Sequence, residues 1–161
     1  MSMSATLSHS DKSRELVTMQ VADQPFGIPV EFVRDVLGNQ GISRIPLAPG
    51  AIAGSLNLRG RIVTVIDLQV ALGRGRTLEP EKAMNVVIDY NGELYSLLVD
   101  QVGDVLSVPR AAVEPLPNTI GAVWRTISEG VVKLEQDLVL VLVPAALLSA
   151  AVVANGVGLT Q

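Results

Sequence analysis

Residues 52–68, IAGSLNLRGRIVTVIDL, set two β-forming runs on either side of Asn57-Leu58-Arg59-Gly60, too close together to be anything but neighbouring strands of a hairpin. Two registers satisfy the sequence. If Asn57 opens a type I turn and Gly60 closes it, positive φ at Gly60 creates a bulge and leaves Leu58 and Arg59 at the tip. If the turn centres on Arg59-Gly60, the arginine still projects. Asn and Gly explain the turn, yet neither requires Arg between them. A tip guanidinium can grip a carboxylate or helix C-terminal carbonyls in a fork while Leu58 buries carbon; the plain alternative is an exposed corner arginine.

Upstream, ELVTMQV (15–21) alternates Leu16, Thr18 and Gln20 with Val17, Met19 and Val21 and predicts the first strand. Gln24-Pro25 predicts a turn and FGI (26–28) a short second strand. PVEFVRDVLG (29–38) reads as a short helix, with Pro29 near its start, Gly38 beyond its end, Val30, Val33 and Leu37 on one side and Glu31, Arg34 and Asp35 on the other. GISRIPLAPG (41–50) reads as a strand leading into a rigid loop.

Downstream, DLQVALG (67–73) predicts one or two helical turns, and the polar interval 74–82 predicts a linker between two halves. AMNVVIDYNGELYSLLVD (83–100) is the clearest hairpin, alternating Met84, Val86, Ile88 and Tyr90 before Asn91-Gly92. DVLSVP (104–109) adds a short strand. The region 109–126, broken by prolines, reads as loop; its Trp124 is expected to be buried between the halves. GVVKLE and DLVLVLV pair across Gln136-Asp137. The run Leu138–Ala154 approaches the roughly 20 apolar residues of a membrane span, but Pro144 divides it into a β-branched strand and an Ala/Leu helix. About ten short strands with few helices predict two small barrels or a partly opened sandwich.

The 161 residues suit one compact body or two subdomains sharing a core; 48% are apolar and 17% charged, which argues against general disorder. Residues 1–14, containing the single His9, read as a flexible leader, and 151–161 as a C-terminal tail. Sixteen acidic and 12 basic residues give a net charge of −4 with no Lys/Arg run to follow a phosphate backbone, which argues against a nucleic-acid partner. Absent Cys removes disulfides, thiolate nucleophiles and thiolate zinc sites.

Catalytic patterns are equally missing. One His in a loose leader supplies no base for a Ser triad, and neither a phosphate loop nor a dinucleotide turn occurs. Asp67, Asp89, Asp100 and Asp104 lack metal-ligand spacing and stand near strand ends, where carboxylates cap turns. No metal or cofactor is expected.

SLNLRGRIVTVIDLQVALG (55–73) resembles the signature segment of the bacterial chemotaxis coupling proteins, the CheW family, and LLVDQVGDVLSVP (97–109) resembles a second one. Weaker similarity over the opening strands and the closing strand pair extends the resemblance to residues 15–150. It implies an all-β fold of two intertwined five-stranded SH3-like barrel subdomains with short helices and a hydrophobic core between them. It also implies a non-enzymatic cytoplasmic adaptor, at membrane-associated receptor arrays but without membrane insertion. Such an adaptor links a chemoreceptor's cytoplasmic tip to the regulatory domain of a chemosensory histidine kinase.

Carried position by position, the resemblance assigns Asn57, Leu58, Arg59 and Gly60 to a receptor-binding corner, with Val33, Asp35 and Val36 from the early helix and, for turn geometry and shape at the groove, Val99, Asp100, Gly103 and Asp104 from the second segment. Asp35 stands where the family usually has Glu and is a candidate partner for Arg59. Kinase binding is expected at Gly41, Ile42, Arg44, Pro46 and Ser55. Other readings of the same chain are a coupler for a non-flagellar array, an unrelated SH3-like binding module, and a metal-dependent enzyme using Asp67 and Asp100.

Overall fold

The computed structural model describes residues 13–38, 40–44, 51–75, 77, 79–135 and 137–153. The expected leader up to residue 12 and the tail from 154 lie outside the described residues. In chain order the strands are β1 (Ser13–Val21), β2 (Gln24–Pro29), β3 (Val33–Leu37), β4 (Ser43–Arg44), β5 (Ile52–Leu58), β6 (Arg61–Asp67), β7 (Met84–Tyr90), β8 (Glu93–Val99), β9 (Gln101–Pro109), β10 (Val113–Glu114), β11 (Ser128–Lys133) and β12 (Leu138–Leu142). The helices are α1 (Leu68–Ala71), α2 (Ala122–Ile127) and α3 (Pro144–Val153).

The strands form two sheets, ordered β10-β11-β12-β2-β1-β9 and β3-β7-β8-β6-β5-β4. Each has five longer strands and a two-residue edge strand, β10 or β4, in keeping with the paired five-stranded arrangement expected. The all-β class and the intertwining are both present: β1 and β2 cross over to join β9–β12, while β3–β8 build the other sheet.

Intertwining corrects the expected boundary at 74–82. β6 and β8 run parallel, with Thr64 opposite Tyr95 and Asp67 opposite Leu98, and parallel neighbours need a long crossover. Residues 68–83 belong to that crossover inside one sheet. The chain passes between sheets at residues 30–32 and again at Asp100.

Three cores hold the molecule together. Leu56, Val63, Val65, Val87, Leu94 and Leu98 fill the second sheet's barrel, and Leu16, Val108, Val132 and Val141 fill the first. The largest cluster lies between the sheets and includes Met19, Phe26, Ile28, Ile88, Leu97 and Leu140. On β8 the alternation is explicit: Leu94 and Leu98 face the barrel core, Leu97 and Val99 the core between sheets. Burying each such aliphatic side chain contributes roughly 1.5–3 kcal/mol. Trp124 is half-buried at this central core, its ring 5.6 Å from that of Phe26.

Several local expectations are overturned. Residues 33–37 are a strand rather than part of a helix; only Val30–Phe32 make a 3-10 turn, because pairing of β3 with β7 outweighs a weak helical pattern rich in β-branched Val. The β1–β2 turn is Ala22-Asp23, not Gln24-Pro25. β9 spans nine residues instead of six, and α2 stands where loop was expected. Ser13 and Arg14, placed in the leader, pair with β9, and α3 runs past the expected tail boundary at 151. The terminal run divides at Pro144 as expected, with Ala151 accepting a 3.0 Å bond from the Ala51 amide. No described helix is long and apolar enough to cross a membrane.

Candidate functional site

The hairpin of β5 and β6 adopts the second of its two registers. Leu58 lies opposite Arg61, leaving Arg59-Gly60 as a two-residue turn with φ of 52° and 87°. Positive φ at both positions is the type I′ geometry that matches strand twist, so the bulged type I alternative is excluded. The Gly60 amide donates to Asn57 Oδ1 at 2.9 Å, fixing the turn from below. Leu58 packs on the barrel core, and Arg59 projects with its side chain 79% exposed.

Asp35 reaches Arg59 because of a bulge. Val33 pairs with Ile88 and Asp35 with Val87, so Arg34 is the inserted residue. In a regular strand residues 33 and 37 share a face; here Val33 packs on the core between sheets and Leu37 on the barrel core. The inserted residue therefore turns Asp35 toward the barrel mouth, where its Oδ2 lies 3.3 Å from Arg59 Nη2 and its Oδ1 accepts from the Val36 amide at 3.0 Å. A pair this exposed contributes at most about 1 kcal/mol to stability. Its effect is positional: one edge of the guanidinium is tethered while the rest faces outward. Val36 stays 39% exposed beside it.

Two arginines absent from the sequence-based site complete this corner. Arg34 Nη2 lies 3.2 Å from Asp89 Oδ2, and Arg61 reaches the Gly92 carbonyl at 3.5 Å. With Asp35, Leu58 and Arg59 they line a cleft of about 280 Å³ floored by Val87 and Leu94. Arg61 was legible in principle, since the two-residue turn places it directly across from Leu58.

The second segment is not brought to this cleft. Val99 is 1% exposed in the central core, so it makes no direct contact at a surface and can act there only by shaping it from beneath. Asp100 accepts from the Ala22 amide (2.8 Å) and Gln69 Nε2 (3.0 Å), clasping the β1–β2 turn to α1. Gly103 lines a separate cleft with Thr18 and Val102; a Cβ there would sit 2.7 Å from Thr18 Oγ1, which donates to the Asp104 carbonyl. Asp104 is exposed on β9, next to the 57%-exposed Val105.

Of the expected kinase-side residues, Arg44 pairs with Gly54 and Ser55 with Ser43, which makes β4 the edge strand of its sheet among the described residues. Ile42 packs on the barrel core and Gly41 is exposed. Pro46 lies outside the described residues.

Asp67 and Asp100, the pair weighed for metal-dependent chemistry, are engaged in holding the fold. Asp67 Oδ1 accepts from the Gln69 amide and Thr77 Oγ1, and its Oδ2 from the Thr77 amide, so it caps α1 and pins the following loop. Both Asp100 oxygens are likewise occupied. Burial, followed by the nearby Glu93 carboxylate, raises the Tyr95 phenol above its ordinary pKa.

Comparison with known proteins accounts for this architecture. Residues 15–152 match the family described as the CheW-like domain. The chain is 29% identical to the chemotaxis protein CheW of Rhizobium meliloti, across 78% of this chain and 81% of the relative. It is 27% identical to a probable chemotaxis protein CheW of Rhizobium etli, across 90% and 94%. The crystal structure of the scaffolding protein TtCheW from Thermoanaerobacter tengcongensis superposes with a TM-score of 0.72 at 26% identity, covering 81% of this chain and 88% of that one. With residues 15–152 matched by the family and the fold shared with a solved member, the chain belongs to the CheW family of chemotaxis scaffold proteins and is not an enzyme.

Proposed function

We propose that this protein couples a chemoreceptor's cytoplasmic tip, held at the Arg59 corner, to the regulatory domain of a chemosensory histidine kinase, held along the β4–β5 edge. It would thereby reside in the cytoplasm at membrane-associated receptor arrays. The observation supporting this reading is that residues proposed for both surfaces share one hairpin. Ser55 stands on β5 opposite Ser43 of the edge strand β4, and the same strand leads through Asn57 and Leu58 into the Arg59-Gly60 turn. Four residues of extended chain separate Ser55 from Arg59 by roughly 13 Å. A strand paired on both sides and seated on a close-packed core does not stretch, so displacement at one surface is passed to the other. A coupling free energy of about 1–3 kcal/mol changes relative affinities roughly 5–150-fold, enough to bias a kinase between conformations without a catalytic residue from this chain.

The test mixes the purified protein with receptor cytoplasmic fragment and kinase regulatory domain, separately and together, and reads binding and kinase phosphorylation. Arg59→Glu is expected to weaken the receptor contact about tenfold or more while leaving the unfolding midpoint within error, because the residue projects from a turn. Equal receptor affinity in the variant rejects the corner as the contact. Failure of the wild-type protein to bind either partner rejects the adaptor reading.

A further inference from the structure

The cleft at the mouth of the second barrel contains more positive charge than its own fold consumes. Of its three guanidinium groups, Arg34 pairs with Asp89 and Arg59 with Asp35. Arg61 has no ion pair among the described residues; its one contact is the long bond to the Gly92 carbonyl. Glu93, the other acidic group near this turn, bonds Tyr95, which packs on the central core on the opposite face of β8. One positive charge is therefore unmatched in a molecule whose net charge is −4. Strand pairing holds it in place: Arg61 lies opposite the core-packed Leu58 and stands between two type I′ turns, Arg59-Gly60 and Asn91-Gly92, both with positive φ.

We infer that this cleft is a carboxylate-binding subsite, with Arg61 its specificity-determining residue, and that its occupant is a single aspartate or glutamate presented by a partner polypeptide. A carboxylate carries the one charge needed for neutralisation and matches the two-pronged geometry of a guanidinium. Leu58, Val87 and Leu94 provide an apolar floor for the methylenes of such a side chain. A phosphate dianion fits less well, because Asp35 already stands in the lining and would repel its second charge. The inference rests on the Arg59 corner being a docking surface and adds the chemistry that the partner must supply.

The test uses the full chain and two probes: a chemoreceptor cytoplasmic fragment, and a helical peptide with one central glutamate alongside its glutamine counterpart. Binding is followed by calorimetry and by the side-chain Nε–H resonances of the arginines. Arg61→Gln is expected to lower affinity for the receptor fragment about tenfold. The glutamate peptide is expected to shift the Arg61 resonance and its glutamine counterpart not. Arg61→Glu is expected to regain affinity only for a peptide with lysine at the central position. Equal affinity of wild type and Arg61→Gln for every probe that binds, equal response to the two peptides, or an equal Arg61 shift with inorganic phosphate overturns the inference. A glutamate peptide that shifts Arg61 in a protein that ignores the receptor fragment sinks the receptor assignment and leaves the subsite standing, whereas silence toward both probes overturns both.

Discussion

Two turns of the same geometry are held in opposite ways. Arg59-Gly60 and Ala22-Asp23 each join antiparallel strands through two residues at positive φ. At the first, local chemistry does most of the work: Gly60 takes its φ of 87° without a Cβ penalty, and Asn57 three residues earlier accepts its amide. At the second there is no Gly or Asn. Ala22 (φ 53°) and Asp23 (φ 68°) sit where a side chain costs roughly 1–2 kcal/mol each, and the Ala22 amide is held by Asp100, 78 residues away. The Arg59 corner is built to keep its shape alone. The other turn keeps its shape only while the crossover between the sheets stays in place.

Removing the distant clasp should therefore have the largest effect. Asp100→Ala leaves a part-buried Ala22 amide without its acceptor, frees Gln69, and releases strain that Ala22 and Asp23 can then escape by fraying. A loss of about 2 kcal/mol is expected in chemical denaturation, the magnitude for bonds to a charged acceptor. Hydrogen exchange should accelerate at residues 20–25 ahead of the rest of β1 and β2. A loss below about 0.5 kcal/mol would mean that the turn does not depend on the clasp. Ala22→Gly approaches the same comparison from the other side: it removes the steric penalty of the left-handed position and is expected to raise stability by about 0.5–1 kcal/mol, net of glycine's extra chain entropy. A destabilised Ala22→Gly would show that the side chain packs well enough to outweigh its strain, since Ala22 touches the central core.

The same contrast explains what could be read from residue order. Asn57 and Gly60, or Asn91 and Gly92, announce their turns because the required backbone conformations are properties of those residues. Ala22-Asp23 announces nothing, since its conformation is imposed by a carboxylate at the crossover between the sheets, 78 residues away, and Gln24-Pro25 offered a locally better turn. Asp35 was legible as a charged neighbour for Arg59 but not as a strand residue; its direction depends on a bulge created by pairing with β7. Val99 was grouped with the receptor-side residues because family resemblance marks a segment without distinguishing its buried face from its exposed one. The 74–82 interval looked like a linker because composition cannot reveal that β6 and β8 are parallel neighbours. Arg34 and Arg61 were not placed at the site for a related reason: a cleft whose walls come from β3 and two separate hairpins leaves no mark on any one of them.

Of the substitutions that remove or relieve a constraint on the two turns, Asn57→Ala should produce the smallest change in stability and is the sharpest probe of the self-sufficient turn. Its bond to the Gly60 amide is exposed, so water replaces the lost acceptor and the expected cost is about 0.5 kcal/mol, near the lower end for a neutral hydrogen bond. Gly60 still provides the left-handed backbone, and the pairing of Leu58 with Arg61 still closes the hairpin. Arg59, however, occupies a strained position at φ 52° and is tethered on only one side by Asp35, so loosening the turn widens the range of directions its guanidinium samples. Affinity for the receptor fragment should then fall more than stability does, by a factor of about 3–5, because a preorganised contact has become one that must be ordered on binding. A stability loss approaching that of Asp100→Ala would place both turns in one class and remove the distinction between a corner that carries its own shape and one that borrows it.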